Sequence, residues 1–144
     1  MNKRVCIKIK GLHNVNSPED EDSIEVIYPG TYYKRNGKHY IKYEEPVENS
    51  TAINDNMIKI SKDEVEIINK GQSAYQLVFT AGHKNTTFYS TPFGGINMAV
   101  DTYALDVQED ENKIVVDIKY GLEINLDYIS KCRVGIEILS VEDK

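Results

Sequence analysis

Residues 113–126 alternate between apolar and polar side chains along most of their length. The apolar members recur at every second position, and they are Ile114, Val116, Ile118, Tyr120, Leu122, Ile124 and Leu126. This period of two indicates a β-strand with one buried face, because successive strand side chains point to opposite faces. On a helix the same residues would be spread around all sides. We therefore predict one long strand, bent or bulged near Gly121.

Shorter alternating segments fill much of the remaining chain, and helical periodicity is nearly missing. We predict further strands at Val5–Lys10, Ser23–Tyr28, Thr31–Lys34, Lys38–Glu45, Met57–Ser61, Glu64–Asn69, Tyr75–Thr80, Thr86–Ser90, Gly95–Leu105 and Tyr128–Val141. Asn36-Gly37 is the strongest turn signal between them, since a two-residue type I′ hairpin needs positive φ at both positions. Weaker reversals are predicted at Ser61-Lys62-Asp63, Lys70-Gly71-Gln72 and Thr91-Pro92-Phe93-Gly94.

These strands predict an all-β fold made of one domain. The chain has 144 residues, and about 150 is a typical domain length. Neither an internal repeat nor a linker divides it, so the domain is expected to span residues 1–144. So many half-apolar strands would expose a wide apolar side in one open sheet, which a closed antiparallel barrel of about eight to ten strands avoids. A β-sandwich is the less favoured alternative.

Composition and charge exclude several classes of function. The chain carries 17 Lys and Arg against 23 Asp and Glu, a net charge of −6, which argues against nucleic acid as a partner. No stretch approaches the ~18 apolar residues that a membrane helix needs. The segment Met1–Lys10 is basic, but no apolar signal region follows it. We therefore expect a cytoplasmic protein with no membrane partner.

The two cysteines are expected to remain unpaired. Cys6 alternates with Val5 and Ile7, whereas Cys132 shares its strand phase with Val134 and Ile136. One thiol therefore faces solvent and the other faces the core. A reducing cytoplasm favours the same conclusion.

Several segments, taken together and in order, resemble the YwiB-like family of uncharacterised bacterial β-barrel proteins. They are Gly30–Glu45, Leu77-Val78-Phe79, Phe88-Tyr89-Ser90-Thr91-Pro92-Phe93-Gly94, Val100-Asp101-Thr102 and Ile118-Lys119-Tyr120. The resemblance implies a small calycin-like barrel, related in shape to lipocalins and fatty-acid-binding proteins. It implies no activity, because the function of the family is unknown.

At one point the chain departs from this family. Where relatives tend to carry Arg-x-Gly, the sequence reads Asn69-Lys70-Gly71. If that arginine closes a barrel end or binds an anion, the role is lost in this chain or has passed to Lys70.

No recognisable catalytic or metal-binding constellation occurs, so we expect neither an enzyme nor a bound cofactor or metal. The histidines His13, His39 and His83 are far apart and form no zinc-ligand spacing. His39 shares a phase with inward-facing residues, but its place beside a hairpin turn favours the surface or the rim. Glu44 and Glu45 are adjacent and therefore point to opposite faces of a strand.

The aromatic residues comprise ten tyrosines, three phenylalanines and no tryptophan. Strand phase directs Tyr43 and Tyr120 inward and Tyr40 and Tyr103 outward, and Tyr89 precedes a turn at the barrel mouth. Most barrel aromatics serve packing, yet inward hydroxyls together with a carboxylate are also suited to holding the polar end of a ligand.

Two hypotheses about function follow. The first is a barrel that binds a small apolar or amphipathic molecule, with a pocket lined by Tyr43, Glu45, Tyr89, Thr91, Met98 and Tyr120. The second is a non-catalytic interaction or scaffold module that uses the barrel exterior, anchored by Tyr40, Val78, Val115 and Leu139. The sequence leaves open the identity of the ligand, whether the interior is empty, and the oligomeric state, including a homodimer.

Overall fold

A computed structural model describes residues 3–13, 23–46, 51–70, 75–91 and 94–141, with the backbone alone described at residues 12, 13, 23, 24 and 89–91. Within these ranges the chain forms ten β-strands and no helix. The strands are β1 Arg4–His13, β2 Ser23–Arg35, β3 Lys38–Pro46, β4 Ile53–Ile60, β5 Glu64–Lys70, β6 Tyr75–Thr80, β7 Lys84–Thr91, β8 Gly94–Glu109, β9 Lys113–Ile124 and β10 Asp127–Ser140.

All ten strands form one antiparallel sheet in the order β6-β5-β4-β3-β2-β1-β10-β9-β8-β7. Neighbours in this order are also neighbours in sequence, except for β1 and β10, which pair the two ends of the chain. The sheet curls into a nearly closed barrel, so the predicted all-β barrel of eight to ten strands is confirmed.

The barrel meets itself where β6 lies beside β7, and we call this junction the seam. The Asn85 side chain on β7 crosses it, donating to the Val78 carbonyl oxygen at 3.0 Å and to Thr80 Oγ1 at 2.9 Å. These side-chain hydrogen bonds satisfy polar groups at the edge of β6, where no backbone ladder joins the described residues of β6 and β7.

Isoleucine and valine side chains dominate the buried core, as expected for β-branched residues on a pleated surface. The fully buried members include Ile7, Ile41, Ile58, Ile60, Val65, Phe79, Ile114, Val116, Ile118, Ile136 and Ile138. Consecutive antiparallel strands place their turns at alternate ends of the barrel. We name these the Asn36 end, which holds the β2–β3 turn, and the Asn125 end, which holds the β9–β10 turn.

The strongest predicted turn is confirmed. Asn36 and Gly37 have φ values of 53° and 79°, as a type I′ hairpin requires. The connection at residues 61–63 between β4 and β5 is also as predicted. The predicted turns at residues 70–72 and 91–94 include residues 71, 72, 92 and 93, which lie outside the described ranges.

The strand prediction is wrong at Leu126. The side chain was expected on the core face, but it is 91% exposed and forms a hairpin turn with Asn125, both residues having positive φ. Turn geometry here interrupts the alternating pattern. The predicted bulge near Gly121 lies on the partner strand instead, where Tyr103 is the extra residue of β8 and its ring covers Gly121.

The two strands predicted on either side of Pro29 are one strand, β2. Pro29 has no N–H to donate, and the ladder from β2 to β3 begins one residue later, at Gly30. The ladder to β1 continues past Pro29 without interruption. The proline therefore ends one pairing and leaves the strand intact.

The thiols lie on opposite faces, as their phases predicted. Cys6 is partly exposed and Cys132 is buried, and the described structure contains no disulfide between them.

We predict that Gly30→Ala destabilises the barrel, whereas Gly11→Ala does not. A Cβ at Gly30 would lie 2.6 Å from Ile7 Cδ1 and 2.7 Å from the Lys42 carbonyl oxygen, and overpacking of this kind costs about 1–3 kcal/mol. A Cβ at Gly11 would meet no atom within 4 Å. Urea denaturation of both variants measures the difference, and equal losses of stability would contradict the packing at Gly30.

Candidate functional site

The barrel interior changes character along its axis. Toward the Asn36 end it is mostly apolar and buried, although Leu105 and Val107 on β8 are only half-buried. Toward the Asn125 end the inward-facing side chains include tyrosine, asparagine and glutamate, and several of them, such as Tyr28, Glu45 and Ile124, are only half-buried. We examine this second region as the candidate site.

A row of polar side chains crosses four adjacent strands in this region, and we call it the asparagine rung. Tyr43 on β3 pairs with Asn56 on β4, Asn56 pairs with Asn69 on β5, and Asn69 pairs with Tyr75 on β6. Direct partners on neighbouring strands have Cβ atoms ~5 Å apart, so the four side chains lie side by side.

Two atoms of the rung are buried without a hydrogen-bond partner. Asn56 and Asn69 are each 6% exposed, and Oδ1 of each accepts no hydrogen bond. Asn56 does hydrogen-bond Tyr43, so its amide is only partly satisfied. Buried polar groups nearly always have a partner, which makes these two acceptors unusual.

Two stacked tyrosines and a carboxylate border the rung. The rings of Tyr28 and Tyr43 have centroids 4.9 Å apart at an interplanar angle of 25°, and Tyr28 Oη donates to Glu45 Oε2 at 3.0 Å. Glu44, one residue earlier, is exposed on the outside, so the predicted division of the two glutamates is confirmed.

The site holds its tyrosines in the protonated form. Burial, followed by the hydrogen bond and the negative charge of Glu45, raises the pKa of Tyr28 to about 12. Burial above all raises the pKa of Tyr43 as well. Burial also raises the pKa of Tyr120, to which the neighbouring Cys132 contributes. These hydroxyls therefore act as hydrogen-bonding groups near neutral pH.

Tyr120 approaches the site from the opposite wall. Its ring makes an edge-on contact with Phe79, the centroids being 4.9 Å apart. Tyr75 lies close enough to influence the pKa of Tyr28, Tyr43 and Tyr120. Tyr75 thus connects the two sides of the interior.

The structure brings together three of the residues that the sequence nominated, namely Tyr43, Glu45 and Tyr120. Met98 lies on β8 and lines a small cavity of about 130 Å³ at the seam. Tyr89 and Thr91 belong to β7 and pair with Ile96 and Gly94, but their side chains lie outside the described part of the structure.

Sequence reasoning missed Tyr28, Asn56, Asn69 and Tyr75. A signal for the asparagines existed, since each occupies a core-facing phase, Asn56 with Ile58 and Asn69 beside Ile67. A polar residue in such a phase marks either a satisfied hydrogen bond or a site. Lys70, considered as a substitute for the arginine of the relatives, is exposed on the outside and does not reach the rung.

His39 is buried, contrary to the expectation that it lies at the surface or rim. It is 4% exposed, its Nδ1 lies 2.6 Å from Tyr32 Oη, and its Nε2 lies 3.0 Å from Glu109 Oε1. Glu109, the last residue of β8, reaches the β2–β3 hairpin and also forms an ion pair with Lys34 at 3.8 Å. His39 therefore helps close the Asn36 end.

A second concave surface lies on the outside of β2–β5. It encloses about 780 Å³ and is lined by Pro29, Gly30, Thr31, Lys42, Tyr43, Glu44, Pro46, Ile53, Asp55, Asn56, Met57 and Lys70. Beside it Tyr33 and Tyr40 stack with centroids 4.8 Å apart and planes 2° apart. The ammonium groups of Lys42 and Lys59 lie over these rings.

The described residues contain no group of three or more potential metal ligands. They also include no helix that is long and apolar enough to cross a bilayer.

The fold and the site together define a ten-stranded antiparallel barrel with a polar interior at one end and no assigned activity. The chain belongs to the family described as domain of unknown function DUF1934, whose model matches residues 7–136. It is similar to the uncharacterized beta-barrel protein YwiB of Bacillus subtilis (strain 168), with 27% identity over 116 residues, covering 78% of this chain and 80% of that protein.

A solved structure supports the same fold. The crystal structure of the ywiB protein from Bacillus subtilis superposes with a TM-score of 0.80, covering 97% of this chain and 93% of that chain at 19% identity. The family resemblance and the barrel architecture predicted from the sequence are thus confirmed. The function of the family remains unknown.

We predict that stability falls as the pH rises from about 10 to about 12, because Tyr28 has its pKa raised from 10.0 to about 12 by folding. Below pH 10 both states are protonated and the stabilisation is complete. Above pH 10 the Tyr28 hydroxyl ionises in the unfolded chain while it is still protonated in the folded chain, which favours unfolding. Denaturation at several pH values tests this slope.

Glu45→Gln removes the charge beside Tyr28, so it should lower the Tyr28 pKa and reduce this slope. Glu44→Gln, on the outside of the same strand, should change neither. Phenolate absorbance measured against pH, with Tyr28→Phe to assign the signal, separates the two variants. The contact between Tyr28 and Glu45 would be refuted by identical titrations.

Proposed function

We propose that this protein binds a small molecule inside the barrel, at the asparagine rung. The unsatisfied Oδ1 atoms of Asn56 and Asn69 carry the proposal. Leaving a buried polar group unpaired costs about 1–3 kcal/mol, and a ligand that donates hydrogen bonds would offset that cost.

Partial exposure of the surrounding interior supports access from the Asn125 end. Tyr28, Glu45 and Tyr75 face the interior, yet each is only half-buried. At the Asn36 end the corresponding interior side chains, such as Ile41 and Ile114, are fully buried. Small barrels of this size class hold about one small ligand, which fits a site confined to one end.

The chemistry of the site favours binding over catalysis. Folding raises the pKa of Tyr28 and Tyr43, which moves both further from the near-neutral pKa that general acid–base catalysis favours. Glu45 is engaged by the Tyr28 hydroxyl. We therefore propose a binding protein rather than an enzyme.

Leu122→Trp should abolish binding by filling the interior, whereas Val115→Trp should not. Both residues lie on β9, Leu122 inside against the core and Val115 outside beside Glu137. We expect at least a tenfold loss of affinity, which is about 1.4 kcal/mol. Native mass spectrometry of wild-type protein purified from its host identifies the bound molecule and gives the reference.

Circular dichroism and thermal unfolding establish that the Leu122→Trp variant remains folded. If that variant does not fold, Tyr120→Phe removes an interior hydroxyl with little change in volume and replaces it in the comparison. Binding that survives in a folded Leu122→Trp variant, or a wild-type protein that carries nothing from its host and binds no member of a small-molecule library, overturns the proposal.

The outer surface around Tyr33 and Tyr40 supports a second candidate function, the interaction module. Tyr40 shares one row with Lys59, Glu66 and Val78 across four strands, so two of the anchors named from the sequence lie on one face, about 14 Å apart. Val115 and Leu139 belong to the outer face of β9 and β10. Exposed tyrosines flanked by lysines suit a partner with acidic and apolar side chains.

For this second candidate we predict that the double variant Tyr33→Ala/Tyr40→Ala loses a partner that wild type captures from host lysate, or loses self-association. Tyr33 is 41% exposed and stacks on Tyr40, and aromatic residues dominate binding hot spots. Light scattering and pull-down provide the measurements, with Val115→Ala/Leu139→Ala as the control on the other face. A monomeric wild type that captures no partner would exclude this role.

A further inference from the structure

We propose that the ligand of the interior site is a small organic cation with N–H donors, such as a protonated primary amine, held by Asn56 Oδ1, Asn69 Oδ1 and the Glu45 carboxylate. This inference rests on the proposed small-molecule function and adds the chemical class of the ligand.

The unsatisfied groups of the rung are acceptors. The other buried oxygen without a partner in the described structure, Thr102 Oγ1, lies outside the rung on β8, opposite Tyr120. Oδ1 of Asn56 and Oδ1 of Asn69 are buried without partners on neighbouring strands, which lie ~4.8 Å apart. An ammonium group carries three N–H donors and no acceptor. One such group placed between the two strands can therefore donate to both oxygens.

The charge of the interior points to the same ligand. Glu45 faces inward, and Tyr28 donates to Oε2, so Oε1 has room for another donor. The lysines on the strands around the site lie on the outside, where Lys42, Lys70, Lys119 and Lys131 are exposed. Among the described side chains at this end, no lysine or arginine faces the interior to neutralise Glu45. A bound cation would supply the missing charge.

Aromatic surface adds a further attraction for a cation. Tyr28 and Tyr43 stack beside the rung, and cations are drawn to the faces of aromatic rings. Because Glu45 lies two residues beyond Tyr43, it is about 7 Å away along the strand. At this distance the Glu45 carboxylate attracts an ammonium group held at the rung through its charge.

An anionic ligand would meet the opposite chemistry. It would face the Glu45 charge and two carbonyl oxygens. Only rotation of both asparagine amides, which exchanges oxygen for NH₂, would offer it donors. The affinity of the site for a cation, compared with its affinity for an anion, therefore tests the inference directly.

The experiment compares hexylamine, hexanol and hexanoate, which share one chain and differ in the head group. Titration calorimetry measures their affinities, and amide chemical shifts in NMR spectra locate the site. We expect hexylamine to bind at least about tenfold more tightly than hexanol, and hexanoate to bind most weakly. Glu45→Gln should weaken hexylamine about tenfold and leave hexanol unchanged, while Glu44→Gln should change neither.

Asn69→Leu provides a second variant with two opposite effects. It removes a buried, unpaired oxygen at nearly constant volume, so the ligand-free protein should melt at a higher temperature. The same substitution should weaken hexylamine, because one acceptor is lost. Residues that are unfavourable for stability and favourable for binding are typical of functional sites.

The outcomes distinguish this inference from the proposed function. If hexanol or hexanoate binds the interior as tightly as hexylamine, or if Glu45→Gln leaves hexylamine affinity unchanged, the cation assignment is overturned while small-molecule binding stands. If none of the three probes perturbs interior residues and host-purified protein carries no small molecule, both fail. If Asn69→Leu lowers the melting temperature, its oxygen is structurally engaged and the assignment is likewise overturned.

Discussion

Pairing between β1 and β10 holds the barrel together. The ladder runs over nine residue pairs from Val5–Ser140 to His13–Cys132, and it joins β1–β6 to β7–β10. All other ladders connect strands that follow each other in sequence. The entropic cost of bringing the chain ends together must therefore be offset here. The inward-facing pairs Ile7–Ile138 and Ile9–Ile136 place apolar area across this junction, where its burial stabilises closure.

Along the barrel axis the interior consists of a structural half and a polar half. Ile7, Ile114 and Ile138 are fully buried toward the Asn36 end, where His39 and Tyr32 add a hydrogen bond beneath Glu109. This half supplies most of the dry, close-packed contact that a domain of this size needs. The other half can then tolerate Asn56 and Asn69 with unpaired oxygens, because the apolar half supplies most of the stabilisation.

Sequence periodicity could predict much of the fold because it reports which face of a strand is buried. The inward positions of Tyr43, Glu45 and Tyr120 followed from that rule alone. It was wrong at Leu126, where a turn decides exposure. At His39 the inward phase was correct, and the exposure expected from the adjacent hairpin turn was wrong because Glu109 reaches the buried ring from the end of β8. The asparagine rung was beyond its reach, because a rung depends on register between strands. One strand's alternation fixes its faces but not which residues lie opposite.

Tyrosine occupies both the outer and the inner face of the barrel, in a chain whose other aromatic residues are three phenylalanines. Outside, Tyr33 and Tyr40 stack in the open and Lys42 and Lys59 cover them. Inside, a tyrosine fills space as a phenylalanine does, and its hydroxyl can donate or accept. The Tyr28 hydroxyl, for example, donates to Glu45 Oε2 at 3.0 Å and so holds the carboxylate in place. In the ligand-binding role proposed above, this carboxylate and the two unpaired amide oxygens form a preorganised acceptor site, so little ordering cost remains on binding.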